Sequence, residues 1–161
     1  FAPASPKEAG LYHTALVFET QSQLAHTLEN LLKTYRHLYI GSADHIATQA
    51  FYFEDPEGNG LELYYDRPRS EWQYKNGKPL IGSIFLDINT FLKTYLPLTP
   101  TSKKIHMGHI HLKVGDISQA HRFYSDILLF DVIENMGTAL FVSRDGYHHH
   151  LGMNVWESFG T

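Results

Sequence analysis

Eleven of the 161 residues are histidine and none is cysteine. Any metal must therefore use His, Asp, Glu or Tyr, with thiolate zinc sites and thiol nucleophiles excluded. Three histidines stand at the head of short apolar runs: His13 in LYHTALVF, His109 in IHMGHIHLKV and His150 in HHHLGMNVW. A neutral imidazole delivered from a buried strand is a good ligand for divalent first-row metals. Glu62 lies in the run that follows the dense turn signal Asp55-Pro56-Glu57-Gly58-Asn59-Gly60. One histidine on an apolar strand is usually a hydrogen-bonded core or edge residue, and a glutamate after a turn usually faces water. The repetition of His in three matching contexts lifts the reading above that baseline.

The neighbours of these residues are sorted by strand periodicity. His111 lies two residues after His109, hence on the same face, where it would support the ligand or simply fill polar space, and His148 has the same relation to His150. His149 is expected to point away from both. Tyr52 and Tyr124 read as packing residues on aromatic content alone, while His26, His37 and His121 fall on or just beyond helices and read as surface residues.

The elements that must carry this chemistry follow from periodicity. After a lead-in loop over residues 1–10 with two prolines, Leu11 to Phe18 reads as a buried strand. Leu24, Leu28, Leu31, Leu32 and Tyr35 recur at helical spacing, which predicts a helix from Ser22, its expected N-cap, to Tyr35. Strands are expected around 36–40, 48–53 and 61–65. Residues 67–104 carry prolines at 68, 79, 97 and 100 and read as a connector, with a short helix over 89–95. A second unit opens with a strand over 105–114, then a helix capped by Asp116 or Ser118, then strands around 130–134 and 139–143. The chain thus divides into a first strand–helix–three-strand module (1–66), the connector (67–104), a shorter second module (105–145) and a strand over 146–161 that would open a further, truncated module.

Composition bounds the partners. At 161 residues, 43% hydrophobic and 14% aromatic, the chain suits one compact domain. A net charge of -4, from 17 acidic and 13 basic residues, gives no basic stripe for phosphates, so no nucleic-acid partner is expected. No apolar run is long enough to span a bilayer and no signal-peptide pattern is visible, so no membrane partner is expected and a cytoplasmic location is assigned.

On these residues the chain resembles the vicinal-oxygen-chelate superfamily, which includes glyoxalases, antibiotic-resistance proteins and extradiol dioxygenases. The His13-Thr14-Ala15-Leu16, His109-Ile110-His111-Leu112 and His150-Leu151-Gly152-Met153 stretches look like the ligand-bearing first strand of its βαβββ module. Phe51 to Tyr64 (FYFEDPEGNGLELY) is similar to the closing hairpin, and the whole is closest to two-domain catechol 2,3-dioxygenase-like proteins. The resemblance implies an α+β fold of βαβββ modules closing into a half-open mixed β-barrel with helices outside. It also implies that the chain is a piece comprising the second module, the third and the opening of the fourth. Carried over position by position, it makes His109 and His150 metal ligands, with His13 and Glu62 retaining the ligand positions of a catalytic module. If the two modules pack together, His13, Glu62 and His109 would converge as two histidines and one carboxylate, the facial triad of non-haem iron oxygenases. Tyr52 and His45 match the active-site tyrosine and histidine.

The function implied is ring cleavage of catechol-type aromatic diols by dioxygen, with Fe(II) as the expected metal and Mn(II) or another divalent ion as substitutes. Two alternatives stand beside it: a glyoxalase-like metal-dependent isomerase or thiol transferase, which would call for four ligands, and a non-enzymatic small-molecule binding protein. An exposed sheet edge leads to the expectation of a homo-oligomer.

Overall fold

The computed structural model describes residue 5 and residues 7–161, so part of the expected lead-in loop lies outside the described residues. The first unit runs β1 (Gly10–Phe18), α1 (Gln21–Tyr35), β2 (Tyr39–Asp44), β3 (Thr48–Glu54) and β4 (Gly60–Asp66). The connector holds a two-residue-per-strand hairpin, β5 (Tyr74–Lys75) and β6 (Lys78–Pro79), then β7 (Ile84–Phe85) and α2 (Ile88–Tyr95). The second unit repeats the first with β8 (Ile105–Lys113), α3 (Ile117–His121), β9 (Asp131–Asn135), β10 (Ala139–Ser143) and β11 (Leu151–Asn154).

Nine strands form one mixed sheet in the order β7-β2-β3-β4-β1-β8-β11-β10-β9. In each unit the first strand lies parallel to the last, β1 to β4 and β8 to β11, while the other neighbours within the unit are antiparallel. The two units join where β1 pairs antiparallel with β8. The fold class is as the sequence predicts: an α+β chain built on one large curved mixed sheet.

The difference lies at the end of the chain. The segment expected to open a further module instead supplies β11, which pairs parallel with β8 and antiparallel with β10 and so completes the second unit. Its apolar alternation, read as a first strand, suits a last strand equally well, because both are interior neighbours in the same sheet.

Local rules account for the helices. The side chain of Thr20, not Ser22, caps α1 by accepting from the Gln23 amide, and Ser22 turns instead to the Leu98 carbonyl. Leu24 and Leu28 of α1 pack with Phe18, Phe51, Phe53, Leu63 and Phe91 in the first core. Asp116 caps α3, which runs on through 122–127 with wider π-type turns, and Ile117 and Ala120 pack on Leu140, Val142 and Met153 in the second core. A third, small cluster holds Ala15, Ala50 and Tyr64, and the Tyr64 ring lies 5.2 Å from that of His109.

Candidate metal centre

His13 on β1, Glu62 on β4 and His109 on β8 meet at the junction. All three are buried, at 7%, 3% and 3% exposure. Glu62 Oε2 lies 2.9 Å from His13 Nε2 and 3.1 Å from His109 Nε2, and the two Nε2 atoms are 3.4 Å apart. Among the described residues this is the group of His, Asp and Glu side chains whose ligand atoms gather within 4.8 Å of one another, the spacing a metal ion can bridge.

Backbone pairing sets this convergence. His13 stands opposite Gly60 in the parallel β1–β4 pair, so Glu62 is paired with Ala15. A side chain at Gly60 would meet the Tyr12 carbonyl at 2.2 Å and His13 Cβ at 2.9 Å, so only glycine lets β4 come this close. Across the seam, His13 pairs with His111 and Ala15 with His109, a reciprocal arrangement that brings His13 and His109 together from equivalent positions in the two units. The same equivalence identifies the counterpart of Glu62. As Ala15 pairs with Glu62, so His111 pairs with Gly152, which offers no side chain. Three of the four equivalent positions carry a side chain that could bind a metal and the fourth does not, its space taken by the His111 ring, whose Nδ1 would be 2.9 Å from a Cβ at Gly152.

The electrostatics suit a cation. Burial alone would push the Glu62 carboxyl up, but His109 first and His13 after it hold it well below the usual carboxylate range. Glu62 is therefore a buried anion whose ion-pair partners among the described residues are His13 and His109. His109 Nδ1 is buried and without a hydrogen-bond partner. Two imidazoles and one carboxylate, gathered in a buried pocket, fit a divalent iron or manganese ion.

His45 and Tyr52 stand beside the triad. Tyr52 is paired with Glu62 across β3 and β4, and its ring lies 5.8 Å from that of His13. Its hydroxyl is 2.7 Å from His45 Nε2, while His45 Nδ1 is 2.6 Å from the Gly82 carbonyl oxygen. A carbonyl can only accept, so Nδ1 carries the hydrogen and Nε2 accepts from the tyrosine. Burial, with the Glu62 charge second, pushes the Tyr52 hydroxyl far up, so it remains a donor.

Two expectations change here. His150 is not at this centre: its Nδ1 lies 2.9 Å from Ser143 Oγ and accepts from the Arg144 amide at 3.2 Å. Since β11 is a last strand, His150 precedes it rather than occupying the ligand position of a first strand. His149, expected to point away, packs against His109 with the rings tilted by 48° and their centroids 4.1 Å apart, and lines the same cavity. Residues 147–150 are not in regular strand, so the alternation that argued against His149 does not apply there.

Several site residues were missed in the sequence. Tyr12 falls in a register irregularity between Leu11 and His13, and such a bulge turns it into the cavity beside His13, at 5.5 Å between rings. Behind His109, Asp66 accepts from Tyr147 at 2.7 Å and lies 2.9 Å from His148 Nε2, and Tyr147 bonds the Tyr64 hydroxyl at 2.8 Å. The period-2 pattern marked His148 but gave no sign of Asp66. The centre opens into a cavity of about 1060 Å³ lined by Tyr12, His111, Phe141, His149 and Trp156 among others. Burial pushes His111 down to about 3, with His13 and His109 adding to the effect, so this wall carries uncharged rings.

Comparison with known proteins agrees with the architecture. A catechol-2,3-dioxygenase of Bacillus subtilis (strain 168) is 41% identical over 157 residues, 91% of this chain and 53% of that protein. A biphenyl-2,3-diol 1,2-dioxygenase 2 of Rhodococcus globerulus is 33% identical over 84 residues, 50% of this chain and 44% of that protein. The chain spans about half the length of the curated relatives it matches. The solved structure of a candidate dioxygenase from Bacillus subtilis subsp. subtilis str. 168 superposes with a TM-score of 0.52 at 12% identity, over 96% of this chain and 47% of that one. No family model matches the chain.

Proposed function

We propose that the chain belongs to the vicinal-oxygen-chelate superfamily, on its catechol 2,3-dioxygenase-like side, and that it carries the metal centre of an extradiol dioxygenase, a reading supported by its 41% identity to a catechol-2,3-dioxygenase. The ligands are His13, Glu62 and His109, the metal is Fe(II), and the substrates are a catechol-type aromatic diol and dioxygen. The ring opens at the carbon–carbon bond beside the diol, with both atoms of dioxygen entering the product. The observation that carries this reading is that Glu62's counterpart is Gly152, which offers no side chain and leaves a three-ligand centre facing a cavity. A four-ligand glyoxalase-like site would need a donor there, and a metal-free binding protein would not need a buried anion held between two histidines.

When bound, a divalent ion at the triad would acidify the diol hydroxyls and leave positions open for substrate and dioxygen together. The side chains do the remaining work. His45, fixed as its Nδ1–H tautomer by the Gly82 carbonyl, presents Nε2 as the base for a diol proton, relayed through the Tyr52 hydroxyl at 2.7 Å. Tyr52 stays protonated and can return a hydrogen bond to oxygen that gains charge. Tyr12, Phe141, His149 and Trp156 line the cavity and keep water from the ring.

The test is elemental analysis of protein purified without chelator, together with oxygen uptake by iron-loaded protein over a panel of catechols. One metal per chain, lost in His13→Ala and in His109→Ala but retained in His150→Ala, is expected. No oxygen uptake with any catechol would sink the dioxygenase reading, and loss of metal only in His150→Ala would relocate the centre.

A further inference from the structure

The turn between β2 and β3 is strained where no hairpin requires strain. Ile46, the residue after His45, has φ +73°. A β-branched side chain is among the least tolerated at that angle, and Gly or Asn would serve a plain turn without penalty. Strain of this kind persists only where the surroundings over-determine it.

Here the surroundings are largely Arg67. Its guanidinium donates to Asp44 Oδ1 at 2.9 Å, to Asp44 Oδ2 at 2.5 Å and to the Ile46 carbonyl at 2.8 Å, with a longer contact of 3.4 Å to the Thr48 carbonyl. Its backbone amide donates to the Ala47 carbonyl at 2.9 Å, and its own carbonyl accepts from Trp72 Nε1 at 2.7 Å. Asp44 Oδ1 in turn accepts from the Ile46 amide at 2.9 Å. One residue thus grips the turn on both sides of His45, and it does so with a planar fork that a lysine cannot reproduce.

Ile46 also explains why the acceptor for His45 stays in reach. A side chain at Gly82 would lie 2.6 Å from Ile46 Cδ1, so the isoleucine packs directly over the Gly82 backbone. That backbone supplies the carbonyl 2.6 Å from His45 Nδ1. The strained residue is a strut between the turn and residues 81–83 of the connector.

We infer that Arg67 is a positioning residue for His45: by clamping the 44–48 turn over Ile46, it fixes the imidazole as the Nδ1–H tautomer with Nε2 toward Tyr52 and the cavity. The catalytic consequence rests on the reading of His45 as the proton-moving group; the tautomer itself does not. Replacing the fork frees the turn to relax at Ile46, the Gly82 carbonyl moves out of register, and the ring populates both tautomers.

The experiment uses metal-free protein labelled with ¹⁵N-histidine, observed at a pH where the ring is neutral, with His45→Gln assigning the signals. In the wild type the two His45 nitrogens are expected to be well separated, Nδ1 protonated and Nε2 bare. In Arg67→Met they converge toward the tautomeric average, in Arg67→Lys they fall between, and in Ile46→Gly, which leaves the ion pair intact, they also converge. Iron-loaded Arg67→Met is expected to lose at least tenfold in kcat with KM within twofold and metal content unchanged. A folded Arg67→Met or Ile46→Gly whose His45 spectrum matches the wild type overturns the proposal, as does a wild type protonated at Nε2. If Arg67→Met does not fold, Arg67→Lys and Ile46→Gly decide alone. The expected spectra with no turnover in any form would support the positioning and defeat the dioxygenase reading instead.

Discussion

Replacing Glu62 by glutamine separates its two contributions, to the metal-free fold and to the metal. Without metal, Glu62→Gln exchanges two charge-assisted hydrogen bonds, at 2.9 Å to His13 and 3.1 Å to His109, for neutral ones. Each exchange costs about 1 kcal/mol, and relief of the buried carboxylate's desolvation offsets part of it. The net loss is about 2 kcal/mol at most, roughly 4–8 °C in Tm for a chain of this size. With a divalent ion at about one hundred times its Kd, the wild type gains about 2.7 kcal/mol, or roughly 5–11 °C. Loss of a ligand that weakens binding by about a hundredfold cuts that gain to about 0.4 kcal/mol, an increment of roughly 1–2 °C. Differential scanning calorimetry with Mn(II), which avoids iron oxidation, against a chelator control reads both quantities. An equal Mn(II)-induced shift in wild type and Glu62→Gln would refute the triad as the metal site.

Further outcomes follow from the same geometry. His111 is 4% exposed and its pKa is lowered to about 3, so its stabilising contribution is complete above the unfolded value near 6.5 and is lost as pH falls toward the folded value; His111→Phe should remove about 1.4 kcal/mol per pH unit of acid sensitivity in that window, measured by urea unfolding of metal-free protein. Glu62 has the carboxylate form of the same sign: its pKa is lowered, so it stabilises the fold above about pH 4 and loses that contribution below, and Glu62→Gln should flatten the acid limb there. Gly108→Ala would place a Cβ 2.0 Å from the Tyr64 hydroxyl and should cost about 1–3 kcal/mol, read as a lowered urea midpoint. Trp156→Ala, which removes a half-exposed wall of the cavity, should raise KM for the best catechol about tenfold with kcat within threefold in steady-state oxygen uptake, since burial of one aromatic face is worth about 1–2 kcal/mol.

The helix and the strand openings were legible because each rests on a local pattern, an apolar run headed by His13 or His109 and a helical face from Leu24 to Tyr35, whereas the meeting of His13, Glu62 and His109 was implied by the family resemblance and not by any local pattern. Two rules set the limits. The alternation of a buried strand does not distinguish a first strand from a last one, which is why His150 read as a ligand. Alternation also fails at irregular backbone, and His149, which it misplaced, and Tyr12, which it overlooked, both sit at such points. The connector was the least legible part, since its role reaches the site through a backbone carbonyl at Gly82, and a carbonyl has no sequence signature. Arg67 at its edge carried no motif, because its partners are an aspartate 23 positions away and main-chain oxygens.

The seam between β1 and β8 also orders events in time. His13 and His109 are 96 positions apart in the chain, with Glu62 between them. Closing so long a loop is entropically slow, and contacts of this separation tend to form late. A metal ion in a refolding solution meets single histidines long before it meets the three together. Capture with native affinity therefore reports the zipping of the two units, and a metal-sensitive signal during refolding works as a clock for that one step.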